Sequence, residues 1–302
     1  MPSFRAAPVR VRVPATSANL GPAFDSAGLA LALYDDVVVR VADSGLSIDL
    51  HGEGAQDLPR DKRHLVVKSL RAAFDALGGQ PRGLELVCAN RIPQSRGLGS
   101  SSAAIVAAVV AARALVLGGT ELLDDDAALR LATSLEGHPD NVAACLRGGL
   151  TFAWGTGPDV RVHRVDVHPG ITTVAFVPTT KASTKKVRGL LPATVPHAEA
   201  AANSGRTALL ALAMTTSPAL LLPATQDLLH QSYRASAMPR SATLVQALRG
   251  DGVPAVISGA GPTVLALVAP GDVEAVAARA PRGWAALPLP VEPHGAAVVP
   301  LS

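Results

Sequence analysis

Val9 to Val13 reads VRVRV, an apolar residue alternating with a charged one, which is the period of a strand with one buried face. The same period returns from Leu33 to Leu50, LYDDVVVRVADSGLSIDL, and the Gly- and Pro-containing stretch from Pro14 to Gly28 reads as one long polar loop. From Asp61 to Leu77 the period changes. Leu65, Val66, Leu70 and Phe74 fall near one face of a helix, which Gly78-Gly79 ends. A short strand, Gly83 to Asn90, then leads through a Gly/Ser loop into an Ala-rich helix that stops at Gly118-Gly119. A further helix, Asp124 to Leu135, enters through three acidic residues that suit the positive end of its dipole. The strand Leu150 to Trp154 closes this first unit.

After about residue 160 a second unit is predicted. It holds the strand ITTVAFVP, a loop rich in Lys and Thr, helices around Glu199–Met214, Ala224–Arg234 and Ala242–Leu248, and the strand–Gly turn–strand VPAVISGAGPTVLALVAP. A helix over Val273–Ala280 and a final strand near Ala296–Leu301 complete a small sheet with helices on one face. The division expected is 1–160 and 161–302, with a boundary spread over 155–165.

The length of 302 residues agrees with two domains. Hydrophobic residues make up 48% but aromatics only 3%, so the core is expected to be filled by small aliphatic side chains. The formal charge of +3 is small, basic residues are scattered, and stacking aromatics are scarce, which argues against a nucleic-acid partner. Cys88 and Cys145 each sit in an apolar stretch and read as buried thiols rather than a disulfide or metal framework. The first residues lack the layout of a secretory signal, and the longest apolar run, Ala103 to Gly118, is interrupted by Arg113. A cytoplasmic protein with no membrane association is expected.

The chemistry concentrates in Pro93-Gln94-Ser95-Arg96-Gly97-Leu98-Gly99-Ser100-Ser101-Ser102-Ala103. Glycines let a backbone approach an anion closely, and the helix start that follows offers unpaired N–H groups and a positive dipole end. The serine hydroxyls add donors, and one of them could ligate Mg²⁺. Capping of a buried helix by Gly-Ser explains the same residues equally well. Neither G-x-x-x-x-G-K-[ST] nor G-x-G-x-x-G occurs, so neither a P-loop nor a dinucleotide fold is indicated.

Pro-x-x-x-Gly-Leu-Gly-Ser-Ser-x-Ala resembles the phosphate-binding motif of the GHMP kinases. Pro14-Ala15-Thr16-Ser17-Ala18-Asn19-Leu20-Gly21-Pro22-Ala23-Phe24-Asp25 is similar to the N-terminal substrate motif of the homoserine kinases in that class, and Ser258-Gly259-Ala260-Gly261-Pro262-Thr263 to the class's third, Gly-rich motif. Glu136-Gly137-His138-Pro139-Asp140-Asn141, Ser183-Thr184-Lys185-Lys186-Val187-Arg188 and Tyr233-Arg234 also resemble the homoserine kinases. The resemblance implies an α+β GHMP kinase fold, with an N-terminal ribosomal S5 domain 2-like domain and a C-terminal ferredoxin-like sandwich. It implies transfer of the γ-phosphoryl group of ATP to L-homoserine, in threonine biosynthesis, with Mg²⁺ as cofactor and a homodimer as the assembly.

By the same resemblance, Pro93, Arg96, Gly97, Leu98, Gly99, Ser100, Ser101, Ser102 and Ala103 would hold the nucleotide. Glu136 and Ser101 would hold Mg²⁺, with Ser100 the close alternative. Arg188 and Arg234 would bind the substrate carboxylate, Asp25 with Asn19 its ammonium, and His138 would line the pocket. Asn141 would lie near the reacting hydroxyl. The adenine would sit between His64-Leu65-Val66 and Asn90-Arg91-Ile92-Pro93, and no general base is implied.

Two positions depart from the family pattern. Ala23 stands where a glycine is usual, which suggests a reshaped loop, and the usual Pro-Gly-Phe after Tyr-x-Arg is replaced by Ala-Ser-Ala-Met. The rivals are another GHMP kinase acting on an isoprenoid precursor or a sugar, and a catalytically silent ligand-binding module.

Overall fold

The computed structural model describes residues 2–182 and 184–301; Ser183 lies outside the described residues, as do the side chains of Thr184 and Lys185. In the first half the chain runs through strands β1 (Val9–Ala18), β2 (Ala27–Ala42) and β3 (Gly45–Gly52), helix α1 (Leu65–Ala76) and strand β4 (Gly83–Asn90). Helices α2 (Ser100–Leu115), α3 (Gly119–Leu122), α4 (Asp125–Glu136) and α5 (Asp140–Arg147) and strands β5 (Leu150–Trp154) and β6 (Arg161–Val165) follow. The second half carries β7 (Thr172–Pro178), α6 (Thr184–Arg188), α7 (His197–Thr215), α8 (Leu221–Ala224), α9 (Gln231–Arg234), α10 (Pro239–Gly250), β8 (Ala255–Ile257), β9 (Val264–Val268), α11 (Val273–Ala277), β10 (Trp284–Leu289) and β11 (Ala297–Val299).

Two sheets result, and the α+β class expected from the sequence holds. The seven-stranded sheet follows the order β11-β1-β2-β4-β3, with β5 paired to β2 and β6 to β5; the four-stranded sheet is β10-β7-β9-β8. Among the described residues, β3 and β4 are the one parallel pair. The sheets do not separate at residue 160. β6 pairs with β5, and β11 pairs with β1, so both ends of the second unit belong to the first sheet.

β1 extends five residues past its predicted end and β2 begins earlier, which shortens the expected 14–28 loop to residues 19–26. Pro14 has no N–H to give a ladder, and the register shifts there, so the strand absorbs the proline as an irregularity instead of ending. The expected helix 224–234 is also broken. Asp227 accepts from the amides of Leu229, His230 and Gln231, which starts a fresh turn and leaves the short helices α8 and α9. α4 starts as expected, with Asp124 accepting from Ala127 N at 2.7 Å.

α2 is apolar on nearly every side, as befits a helix enclosed by other elements. It packs on α1, α4, α5 and β1, and its alanines allow those close approaches. Cys88 and Cys145 are buried free thiols, and burial pushes Cys88 up to about 12. Among the described residues, no helix is long and apolar enough to cross a membrane.

Candidate active site

α2 begins after Gly99, which sits at φ 73°, and Gly97 sits at φ 81°. Both lie in the left-handed region that glycine tolerates. Packing demands the same residue. A Cβ on Gly97 would stand 2.3 Å from the Ser258 carbonyl oxygen, and one on Gly99 would stand 2.0 Å from Thr16 Oγ1. The Gly/Ser loop is thus a junction: Thr16 N bonds Leu98 O, Thr263 N bonds Arg96 O, and Gly259 N bonds Ala18 O. The Gly-rich turn of the second half does approach these loops. The first helical bond of α2 runs from Ala103 N to Gly99 O at 2.8 Å, so the amides before it have no helical partner.

One cavity adjoins this helix start, and it gathers most of the residues expected from the sequence. Gly97, Gly99, Ser100, Ser101, Ala103 and Glu136 line it, as do Asn19, Asp25, His138, Asn141, Arg188 and Arg234. Pro93, Arg96, Leu98 and Ser102 do not. Arg96 departs most from expectation, because its guanidinium donates to the carbonyls of Gln94, Pro178 and Thr179 and ties the loop to the end of β7. Its fork is occupied by backbone and is not presented to an anion.

Glu136 closes α4 and receives two of the three serine hydroxyls of the first turn of α2, Ser101 at 2.8 Å and Ser102 at 3.0 Å. Gly137 in the left-handed conformation then turns the chain. Thr16 Oγ1 donates to Asn141 Oδ1 at 2.8 Å, which holds that amide beside Gly99. Asp140 Oδ1 accepts from His138 Nδ1 at 2.8 Å and from Asn141 N at 2.7 Å. The bond from Asp140 raises the His138 value above that of an ordinary imidazole, because it favours the charged ring.

Loop 19–26 carries its strain at Asn19 (φ 72°), Leu20 (φ 46°) and Asp25 (φ 55°), while Ala23 is not in the positive-φ region. Alanine at 23 therefore costs no backbone strain, contrary to the expectation of a reshaped loop. Asn19 accepts from Asp25 N at 2.9 Å and donates to Gly259 O at 3.0 Å, spanning the two halves. Asp25 and Arg188, expected to hold opposite ends of a substrate, hold each other here through two bonds of 2.7 and 2.8 Å. Arg234 is 2% exposed. Its Nε has no partner, and its Nη1 reaches His230 Nδ1 at 3.3 Å and Gly259 O at 3.5 Å. Burial first, and then the neighbouring charge of Arg188, lower its value below that of an ordinary guanidinium. Ala235–Ala237 forms a 3₁₀ turn in place of the missing Pro-Gly-Phe, and Arg234 still reaches the cavity.

Sequence reasoning missed Phe24, Asp35 and His230. Phe24 lies under both guanidinium groups, 5.4 Å from Arg188 and 5.1 Å from Arg234. Asp35 and His64 line the same cavity with Val37, Leu58, Leu65 and Val66. Both ring nitrogens of His64 are buried without a partner, and burial lowers its value. Of the expected adenine-side loop, Asn90 lines the cavity while Arg91 and Ile92 give their amides to Asp35 Oδ1, at 2.6 and 2.9 Å.

Burial pushes Asp35 up to about 6 from an ordinary 3.8, against the opposing pull of those two amides. Because the folded-state value is the higher one, this contribution to stability is complete below about pH 4 and is lost as pH rises to about 6, a change of about 3 kcal/mol. Asp35→Asn keeps an oxygen that can accept both amide bonds. Its stability relative to the parent should therefore rise between about pH 4 and pH 8 by up to about 3 kcal/mol, measured by urea unfolding. A pH-independent difference would show that this carboxyl does not titrate inside the fold.

Residues 64–149 match the GHMP kinases N terminal domain, and residues 198–286 match GHMP kinases C terminal. A homoserine kinase of Streptomyces avermitilis is 64% identical over 301 residues, covering 100% of this chain and 99% of its own. The chain belongs to the homoserine kinase family of the GHMP kinases. Its fold matches a crystal structure of homoserine kinase from Cytophaga hutchinsonii with a TM-score of 0.84, at 25% identity and 99% of both chains. L. major mevalonate kinase in complex with R-mevalonate shares the fold with a TM-score of 0.70, over 98% of this chain and 100% of that one, at 18% identity. As a GHMP kinase, the chain is an ATP-dependent phosphotransferase.

Proposed function

We propose that this protein transfers the γ-phosphoryl group of ATP to the hydroxyl of L-homoserine, giving O-phospho-L-homoserine for threonine synthesis. The observation that carries the choice of substrate is Arg234, a buried guanidinium with an unpaired Nε and no carboxylate bonded to it among the described residues. A buried cation left without an anion is costly unless a ligand supplies one. Beside it, the Arg188–Asp25 pair offers one charge of each sign. An amino acid can exchange that pair for its own carboxylate on Arg188 and its ammonium on Asp25, with no net change of charge in the cavity.

On this reading the amides at the start of α2, with Gly97, Gly99 and Ser100, receive the triphosphate. Oxygen donors from Ser101 and Glu136 fit Mg²⁺, a hard cation bound by one or two carboxylates together with substrate phosphates. The ion, when bound, neutralises charge on the phosphates. The apolar walls Val37, Leu58, Leu65 and Val66 receive the purine, and the unpartnered nitrogens of His64 suit its polar edge. Asn141, fixed by Thr16, orients the substrate hydroxyl, and Asp140 and His138 brace it. Phosphoryl transfer needs mainly such positioning and charge neutralisation. A cytoplasmic homodimer completes the reading.

Coupled ADP-release assays on homoserine, mevalonate, galactose and shikimate test it, with turnover expected on homoserine alone. Arg188→Ala should raise KM for homoserine by about tenfold or more, the cost of a charge-assisted pair, and leave KM for ATP unchanged. No turnover on homoserine, or equal losses for both substrates, would count against the assignment.

A further inference from the structure

Loop 19–26 and the segment ending in α9 meet at one fully buried ring, that of His230. Its Nε2 lies 2.8 Å from the carbonyl oxygen of Gly21. A carbonyl only accepts, so Nε2 carries the hydrogen and Nδ1 of a neutral ring is an acceptor. That acceptor faces Arg234 Nη1 at 3.3 Å, and a guanidinium only donates. A charged ring would set N–H against N–H there. Burial, the largest influence, also lowers the His230 value. The charged groups around the ring are Arg234, 3.3 Å from Nδ1, and Asp227, whose Oδ2 is 3.7 Å from Nε2, with Asp25 as a further negative charge acting on it.

Both the backbone and the ring of His230 are held. Asp227 accepts from the His230 amide at 3.0 Å, and the ring of Phe24 lies 5.1 Å away, tilted by 32°. The Arg234 guanidinium, by contrast, has no hydrogen bond among the described residues besides that to His230 Nδ1, except the 3.5 Å contact to Gly259 O.

We propose that His230 is a positioning residue, held as the neutral Nε2–H tautomer, which aims the Arg234 guanidinium at the carboxylate of the amino-acid substrate. The proposal rests on the substrate reading above. It adds that selectivity for a carboxylate depends on an imidazole acceptor behind the arginine, anchored in turn to the loop that carries Asn19 and Asp25. The loop does not need His230 to stay in place. Asn203 donates to Pro22 O at 2.7 Å and accepts from Leu228 N at 3.1 Å, holding the same two segments together.

Two polar variants separate the two functions of the ring. His230→Gln can keep a donor toward Gly21 but loses the acceptor facing Arg234, and His230→Asn keeps an acceptor there but cannot reach Gly21. Each is assayed with L-homoserine and with 3-amino-1-propanol, which has the same hydroxyl and ammonium and no carboxylate. His230→Gln should raise KM for homoserine by about tenfold, as for a lost hydrogen bond to a charged group, with KM for ATP unchanged. It should also narrow the preference for homoserine over aminopropanol by the same factor, and His230→Asn should restore most of both. Equal losses on the two substrates, or equal behaviour of the two variants, would show a role in folding alone and overturn the proposal. Arg234→Lys distinguishes the failures. If it leaves the preference for homoserine intact, the placement of the carboxylate on Arg234 is what fails.

Discussion

Glu136→Gln should lower kcat by on the order of a hundredfold or more while the protein folds normally and binds nucleotide in the absence of divalent cation as the parent does. The substitution is nearly isosteric, and the Gln oxygen can still accept from one of the hydroxyls of Ser101 and Ser102, which stand 2.8 and 3.0 Å from the two carboxylate oxygens. The other hydroxyl can turn to accept from the new amide. What disappears is the negative charge, which is what a hard divalent cation requires of a site with so few protein ligands. Turnover at saturating ATP and homoserine, followed as Mg²⁺ is raised, should show both the lower plateau and a demand for more Mg²⁺. A plateau within about threefold of the parent would remove Glu136 from the metal site and leave it as a cap on two serines.

Gly97→Ala should be strongly damaging to both stability and activity. The residue sits at φ 81°, where an L side chain is strained by roughly 1–2 kcal/mol. The added Cβ would also meet the carbonyl oxygen of Ser258 at 2.3 Å and that of Gly261 at 2.9 Å, backbone atoms that cannot rotate aside. Relief means parting the loop before α2 from the turn before β9, and the Ser258 hydroxyl bond to Gly97 O would go with it. We expect a loss of about 3–5 kcal/mol in urea unfolding, the sum of strain and overpacking, and activity below a hundredth of the parent's at temperatures where the variant is still folded. A stable, active Gly97→Ala protein would mean that the junction is looser than these distances imply.

Much of this site is readable in the sequence because local backbone demands dictate residue type. Glycines at 97 and 99 and serines at the start of a helix are choices that a loop and a helix N-terminus impose within a few residues, whereas Glu136 at the end of α4 runs against that helix's dipole and was legible only through the resemblance. Arg96 was legible as a charge but not as a contact, since two of its three acceptors are the carbonyls of Pro178 and Thr179, at the end of β7. Asp35 was hidden in the alternating pattern of β2, where a carboxylate reads as an outward-facing residue. Only tertiary structure turns it toward the amides of Arg91 and Ile92. His230 escaped notice for the same reason, because its partner Gly21 lies at the far end of the chain. The broken helix at 224–234 shows a local competition: the spacing of apolar residues favours one helix, and the Asp227 side chain captures three amides and divides it.

The last strand has a consequence for how the molecule is made. β11 lies against β1, Ala296 N bonds Cys145 O, and Glu292 N bonds Ala30 O, so β1 waits for a segment made long after it. During synthesis β1 would emerge early and keep an open edge, exposed to wrong partners, until Ala297–Val299 had been translated. The seven-stranded sheet that carries the nucleotide side of the cavity is then complete only once both halves have been made, and the N-terminal half alone would keep that edge bare.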